Sequence, residues 1–432
     1  MDHSGWSRLK KQRRPPGHEY HSAKTMTERL YYEDSFLREF EAEALSCEPA
    51  RPERSRGAEN ARWQVVLDRT AFYPTSGGQP HDTGTLGGAA VVEVLERDDQ
   101  TLVHLTNEQV PAGPVRGAID WERRFDHMQQ HTGQHLLSAT FLELFKFPTV
   151  SFHLGREVST IDLAAPGLDA RLMEQAERRA NGIIFEDRAV RVSFGTAQQL
   201  AEAGVRKAVE REGILRAIEV EGFDRQPCGG THVARTGQTG LVLLRKCEKV
   251  KQNWRVEFVC GERAARAARS DLETLGEAAR QLSCGLAEVP AMVQRALEER
   301  QTDHRARQML QGQLAEVEAL MLLATEMRAG KGGASRVVRR VFEEGDADYL
   351  RLLAAKLAAE PGVQALLASR AGGHVVFAQT AGLGADMNAL LREGLQAVGG
   401  KGGGTKDFAQ GSVPDGSALE GLLNRAQARL RA

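Results

Sequence analysis

Residues 126–145, DHMQQHTGQHLLSATFLELF, read as one long helix, and this segment decides what the chain around it has to be. Met128, Leu136, Ala139 and Leu142 fall on one apolar stripe with the 3.6-residue period of an amphipathic helix. His131 and His135 stand four residues apart within it, so both imidazoles leave one face and can share a metal ion. The metallopeptidase pattern needs glutamate directly after the first histidine, and Thr132 stands there instead. A peptidase of that type would lack its general base. A second helix follows in LDARLMEQAERRANGII, and strands return in RAIEV, GLVLLRKCEKV and NWRVEFVC, so residues 126–260 read as an α+β domain.

Upstream, from residue 63 to about 123, β-rich runs alternate with turn signals: WQVVLD, FYPTSGGQPHDTG, AVVEVLERDD, TLVHLT and VRGAIDW. They predict a small antiparallel barrel or sheet. Residues 1–25 are basic, carry Pro15-Pro16 and lack apolar periodicity, so they read as a disordered leader; Asp2, Glu19 and the proline pair fit a transit peptide poorly. Downstream, residues 262–330 read as helical, with Leu310, Leu314, Val317, Met321 and Ala324 spaced as in a helical hairpin or short coiled coil. After GKGGAS, the segments VVRRVFEE, ADYLRLLAAKLAA and DMNALLREGLQAV read as helices, HVVFAQT as a strand, and GGKGGGTKDFAQGS as a glycine-rich motif. The expected fold class is α+β: a leader at 1–25, a small N-terminal β-barrel at 26–123, an α+β zinc domain at 124–262, a helical linker or coiled coil at 263–332, and a C-terminal α/β domain at 333–432.

About a hundred residues beyond the helical histidines comes PCGGTH, where two glycines let the backbone turn Cys228 and His232 toward one point. His131, His135, Cys228 and His232 together offer three imidazole nitrogens and one thiolate, the donor types Zn²⁺ prefers, at one ion per chain. The alternative makes Cys228 a small buried hydrophobe and His232 a turn residue. His153 in VSFHLG and Asp162 in TIDL are further candidates for pocket work.

Composition bounds the rest. The 432 residues carry 57 basic and 58 acidic side chains, a net charge of -1, so any nucleic-acid surface must be a local patch. Five cysteines are too few and too odd a number for a disulfide framework, which points to a reducing cytoplasmic setting. No run of about 18 apolar residues and no signal-peptide core are present, so neither a membrane span nor export is expected.

HxxxH followed by CGGTH resembles the zinc signature of the editing domain shared by alanyl- and threonyl-tRNA synthetases and their free-standing relatives. LDRTAFYPTSGGQPHDTG (67–84) resembles the leading motif LDxTxFYPxxGGQxxDxG of the alanyl branch, and AVGGKGGGTKDFAQGS resembles the glycine-rich motif of the alanyl synthetase C-terminal domain, found also in long AlaX forms. Only thirty residues precede the family-like start at Tyr31, so the expectation is an editing protein acting in trans rather than a synthetase.

The resemblance implies a zinc-dependent deacylase that hydrolyses the ester of tRNA(Ala) mischarged with serine or glycine. Such a site answers a physical need, because a pocket built for alanine rejects its near-isosteres by only about 10². It further implies that Thr75 and Ser76, on the Gly77-Gly78 turn, lie beside the aminoacyl pocket, with Gln79 and Asp82 ordering the loop. The alternative keeps Thr75 and Ser76 as plain turn residues. His131, His135 and Cys228 are expected as firm ligands, with His232 bound or displaced and able to relay a proton. Lys401, Gly403 and Lys406 are expected to approach tRNA phosphate or another subunit, and residues 263–432 to offer a homodimer surface. A tRNA-binding protein with purely structural zinc and an unrelated zinc hydrolase are the competing readings.

Overall fold

The computed structural model describes residues 27–50, 62–206, 213–328 and 336–431. The leader at 1–25 and the GKGGAS break lie outside the described residues. The chain forms two compact units, Met1–Thr274 and Leu275–Ala432, with a mixed α and β fold.

In the first unit, β1 (Glu39–Pro49), β2 (Trp63–Leu67), β3 (Gly84–Leu86), β4 (Ala89–Glu96), β5 (Leu102–Thr106) and β6 (Gly113–Ile119) close into an antiparallel barrel of order β1-β2-β5-β4-β3-β6. β1 was not foreseen. Its inward residues Phe40, Ala42 and Ala44 alternate with glutamates, and two alanines make a faint apolar signal. Phe40, Val65, Leu67, Phe72, Leu86 and Val94 fill the barrel.

α1 (Trp121–Phe145) leaves the barrel from an Asp120 cap, whose carboxylate accepts from the Arg123 N–H at 3.2 Å. It ends where Lys146 turns left-handed. An amphipathic helix was expected, yet every residue from His127 to Phe141 is buried. α1 is the central rod of the unit. One side meets β12-β13-β8-β7, formed by β7 (Thr149–Leu154), β8 (Ser159–Leu163), β12 (Val242–Val250) and β13 (Asn253–Cys260). Another meets α2 (Ala170–Phe185). Gly133 permits the sheet approach, since a Cβ there would sit 2.2 Å from the Cys260 sulfur. A small sheet of β9 (Val190–Gly195), β10 (Leu215–Val220) and β11 (Asp224–Pro227) carries the chain toward PCGGTH. α3 (Gly261–Gln281) follows β13.

In the second unit α4 (Val289–Arg328) precedes a five-stranded sheet of order β14-β15-β16-β18-β17. The strands are β14 (Arg336–Phe342), β15 (Val363–Ser369), β16 (His374–Gln379), β17 (Lys401–Gly404) and β18 (Phe408–Ser412). α5 (Ala347–Ala359), with α4, packs on one face; α6 (Met387–Gln396) and α7 (Leu419–Arg431) pack on the other. VVRRVFEE, expected as a helix, is β14, paired in parallel with β15. Val337 joins the core under α6 and α7 while Val338 joins the core under α5. Adjacent valines buried on opposite faces mark a strand covered on both sides, which lacks the alternation of a half-exposed one.

The glycine run is also a strand. A Cβ at Gly402 or Gly411 would lie 2.7 or 2.5 Å from the Leu395 side chain, so α6 seats against a hairpin made bare for it. Internal packing thus accounts for most of these glycines.

His104 sits fully buried in the barrel wall, and burial lowers its pKa from 6.5 to about 4. Its Nδ1–H donates to the Val65 carbonyl at 3.2 Å, and the Thr70 hydroxyl donates to Nε2 at 2.9 Å, a pattern only neutral imidazole can make. The unfolded chain takes up this proton first as pH falls. The neutral ring's contribution is therefore complete above pH 6.5 and lost between pH 6.5 and about 4, amounting to about 3 kcal/mol. Unfolding titrations at pH 7 and pH 4.5 should show this loss in the wild type and a flatter dependence in His104→Gln; equal slopes would refute it.

Candidate functional site

α1 and the CGGTH loop bring their donors together. One ligand atom from each of His131, His135, Cys228 and His232 lies within 4.8 Å of all the others, a group that can hold a metal ion. The Cys228 sulfur is 3.4 Å from His131 Nε2 and 3.3 Å from His232 Nε2. All three imidazoles are at most 3% exposed.

Two of the three histidines, His131 and His232, have the other ring nitrogen hydrogen-bonded, and that of His135 is buried without a partner. His131 Nδ1–H donates to Gln79 Oε1 at 2.8 Å, which fixes the tautomer and frees Nε2. His232 Nδ1 shares a 3.2 Å hydrogen bond with the Thr132 hydroxyl. His135 Nδ1 lies 3.8 Å from Asp224 Oδ2, and Arg206 Nε donates to the other oxygen of that carboxylate, Oδ1, at 2.8 Å. Thr132, which stands where a metallopeptidase carries its base, instead orients a ligand.

Burial holds the ligand set uncharged. It lowers the His131 pKa to about 3, with Arg216 adding to the effect, and pushes His135 and His232 well below the usual range. Burial raises the Cys228 thiol, opposed by the Gly230 N–H and by Arg216. Arg216 on β10 also shapes the loop, donating to the carbonyls of Cys228 at 2.7 Å and Gly230 at 2.8 Å. Its signal in the sequence was faint, one of two charges in the strand RAIEV beside Glu219.

The 67–84 segment docks on this group. Gly77 and Gly78 have φ of +54° and +83°, the left-handed pair of a tight two-residue hairpin turn closed by Ser76 and Gln79. Gly78 abuts Phe152, whose ring centroid lies 5.3 Å from that of His131. Gln79, expected as an ordering or substrate-side residue, is buried; beside its bond to His131 it donates to the Thr231 hydroxyl at 2.9 Å. Asp82 is buried and paired with Arg124 of α1.

Other candidates stand apart from the ligands. Thr75 commits its hydroxyl to His81 Nδ1 at 2.9 Å. His153 is exposed on β7, and strand alternation turns it away from the side on which Phe152 meets His131. Asp162 is bound by Arg255 Nε at 2.8 Å and by the Ser151 hydroxyl, which place it in a surface ion pair on the four-stranded sheet. Lys401 and Lys406 are exposed and Gly403 partly so, all in the second unit. Among the described residues no helix is long and apolar enough to cross a membrane.

Comparison with known proteins follows the same segments. A family model described as the threonyl and alanyl tRNA synthetase second additional domain matches residues 215–257. One described as tRNA synthetases class II (A) matches 6–123, and the DHHA1 domain matches 330–432. The chain is 31% identical over 402 residues to alanyl-tRNA editing protein AlaX-L of Pyrococcus horikoshii, covering 90% of this chain and 95% of that protein. It is 30% identical over 419 residues to alanine–tRNA ligase of Pyrococcus abyssi, but spans only 43% of that enzyme. A 35% identity over 238 residues links it to alanyl-tRNA editing protein Aarsd1 of Bos taurus, over 53% of this chain and 54% of that protein.

Two glycine and ligand variants test the construction of the site. A Cβ at Gly230 would lie 2.2 Å from His131 Cε1 and 2.8 Å from Gln79 Oε1, so Gly230→Ala should cut bound metal about as severely as Cys228→Ala. Gln79→Leu, which keeps the ligands but removes the bond to His131, should weaken metal binding by about 10- to 100-fold. Metal content and chelator competition measure both; full occupancy in Gly230→Ala would refute the packing argument.

Proposed function

The chain belongs to the alanyl-tRNA editing proteins, and from that footing we propose that its buried metal group serves the hydrolysis of tRNA(Ala) mischarged with serine or glycine. The observation that carries this reading is the docking of the FYPTSGGQ turn on the donor group through Gln79. A purely structural metal has no need of a substrate loop fastened to one of its ligands.

Zinc suits the donors. Nitrogen at about 2.0–2.1 Å and sulfur at about 2.3 Å from a tetrahedral zinc would stand about 3.5–3.6 Å apart, and the two sulfur–nitrogen separations of 3.3 and 3.4 Å come within a few tenths of an ångström of that. His131, His135 and Cys228 would hold the ion, which would supply a Lewis acid for the ester carbonyl or for a water. His232, braced by Thr132, would take the proton released by the attacking water and pass it to the departing ribose oxygen.

Selectivity rests on the turn. The Ser76 side chain has no hydrogen-bond partner among the described residues, unlike that of Thr75, which makes Ser76 the hydroxyl that meets a seryl substrate. Hydrogen bonding to serine can reject alanine by up to about 10⁴, because alanine leaves the site's polar groups unpaired. Glycine removal needs a different device, steric exclusion of the alanine methyl. Lys401, Gly403 and Lys406 face solvent in the second unit, and we assign the lysines to tRNA phosphates. The exposed stripe Leu310, Leu314, Val317 and Met321 on α4, opposite buried Ala315, Ala319 and Leu323, supports self-association of the chain.

Incubating the zinc-loaded protein with Ser-tRNA(Ala), Gly-tRNA(Ala) and Ala-tRNA(Ala) tests the activity: the first two should lose their esters while the third persists. tRNA binding without any ester loss would make the metal structural. Ser76→Ala should slow seryl removal about tenfold or more, with metal content unchanged. Lys401→Ala with Lys406→Ala should raise KM more than it lowers kcat and make the salt dependence of tRNA affinity shallower by about two units; an unchanged slope would remove these lysines from the interface.

A further inference from the structure

His127 lies one helical turn before His131 on α1 and is 4% exposed, as buried as the metal ligands. Neither of its ring nitrogens has a hydrogen-bond partner among the described residues, and Nδ1 is fully enclosed. Buried polar groups in folded proteins are satisfied in the great majority of cases, so an orphaned imidazole beside a reaction site calls for a ligand.

The surroundings say which kind. Arg123, four residues earlier on the same face, uses Nε to donate to the His81 carbonyl at 2.9 Å and makes no ion pair among the described residues. Arg156, in the turn between β7 and β8, is exposed and has no partner there either, and its charge acts on Arg123. Arg263, Arg124 and His81 also act on His127, while the carboxylates of Asp82, Asp120 and Asp126 act on Arg123; of these groups Arg263 is bound to Asp126 at 2.6 Å and Arg124 to Asp82. Burial first, and then the guanidinium groups of Arg123, Arg263 and Arg124, lower the His127 pKa to about 3, so the ring is neutral and, with Nδ1 enclosed, offers Nε2 to an incoming group.

Spacing connects this to the metal group. At about 1.5 Å of rise per residue, His127 stands about 6 Å along α1 from His131 and Arg123 about 12 Å. An RNA 3′ end whose ester lies at the ligands would extend its sugar–phosphate backbone by about that step. We propose that His127 and Arg123, with Arg156 at the rim, form a subsite for the phosphodiester of the substrate's 3′-terminal nucleotide. The inference rests on the deacylase reading for what occupies the site, but the anion preference it predicts is independent of turnover.

The test compares adenosine 5′-monophosphate with adenosine as ligands of the full-length, zinc-loaded protein, by calorimetry and as inhibitors of deacylation. Wild type should prefer the monophosphate by about tenfold, the worth of one charge-assisted hydrogen bond. Arg123→Gln and His127→Leu should each lose that preference while retaining zinc, and should raise KM about tenfold with far less change in kcat. Removing an unsatisfied imidazole should leave thermal stability equal or higher in His127→Leu. Equal affinity of wild type for the two ligands, or a His127→Leu protein that keeps the preference and only melts earlier, would overturn the assignment. Should no ester be cleaved at all, the calorimetric comparison still decides whether the phosphate site exists.

Discussion

Arg124 and Asp82, both with side chains 0% exposed, form the contact on which the rest of the first unit's geometry hangs. Asp82 also accepts the Tyr73 N–H at 2.6 Å, and Arg124 also donates to the carbonyls of Ser35 and Ala71. A buried pair of this kind adds little net stability against an apolar pair. Losing one partner, by contrast, strands a charge at a cost of about 3–5 kcal/mol. Its value is therefore positional: it fastens the 71–82 segment to α1 at one register. Only in that register does Gln79 reach His131, three residues of loop from the pair on one side and seven residues of helix on the other.

The burial of α1 has an electrostatic counterpart. A helix that carries three histidines through the interior must keep them neutral, and the enclosure does so with cationic neighbours adding to it. Neutral imidazole is the form that binds metal, so the fold prepares the donors without proton loss from the histidines and leaves only the thiol to ionise. Gln79 and Thr132 then decide which nitrogen the His131 and His232 rings offer.

What could be read from the chain alone follows from how local each signal is. HTGQH and PCGGTH each place two donors within five residues, and their chemistry is visible without knowing how the segments meet. Thr132, Asp224, Arg216 and His127 were passed over because each acquires its meaning from a partner far away in sequence or from having none. The same logic governs the elements. Strands in NWRVEFVC and HVVFAQT announce themselves by β-branched residues, whereas β1 hides behind alanines and β14 imitates a helix because both its faces are covered. α1 appeared amphipathic since its buried residues include polar ones, among them Gln129 and Gln130, which are satisfied by tertiary contacts.

The absence of a side chain at Gly230 carries an evolutionary consequence. Its backbone touches the His131 ring and the Gln79 amide oxygen at once, so positions 79, 131 and 230, contributed by a barrel loop, a helix and a strand-end loop, share one small volume. A bulkier residue at any of the three is accommodated only by shrinking or removing another. Mutational effects among them are then expected to be strongly non-additive, although the positions lie up to 151 residues apart, between 79 and 230.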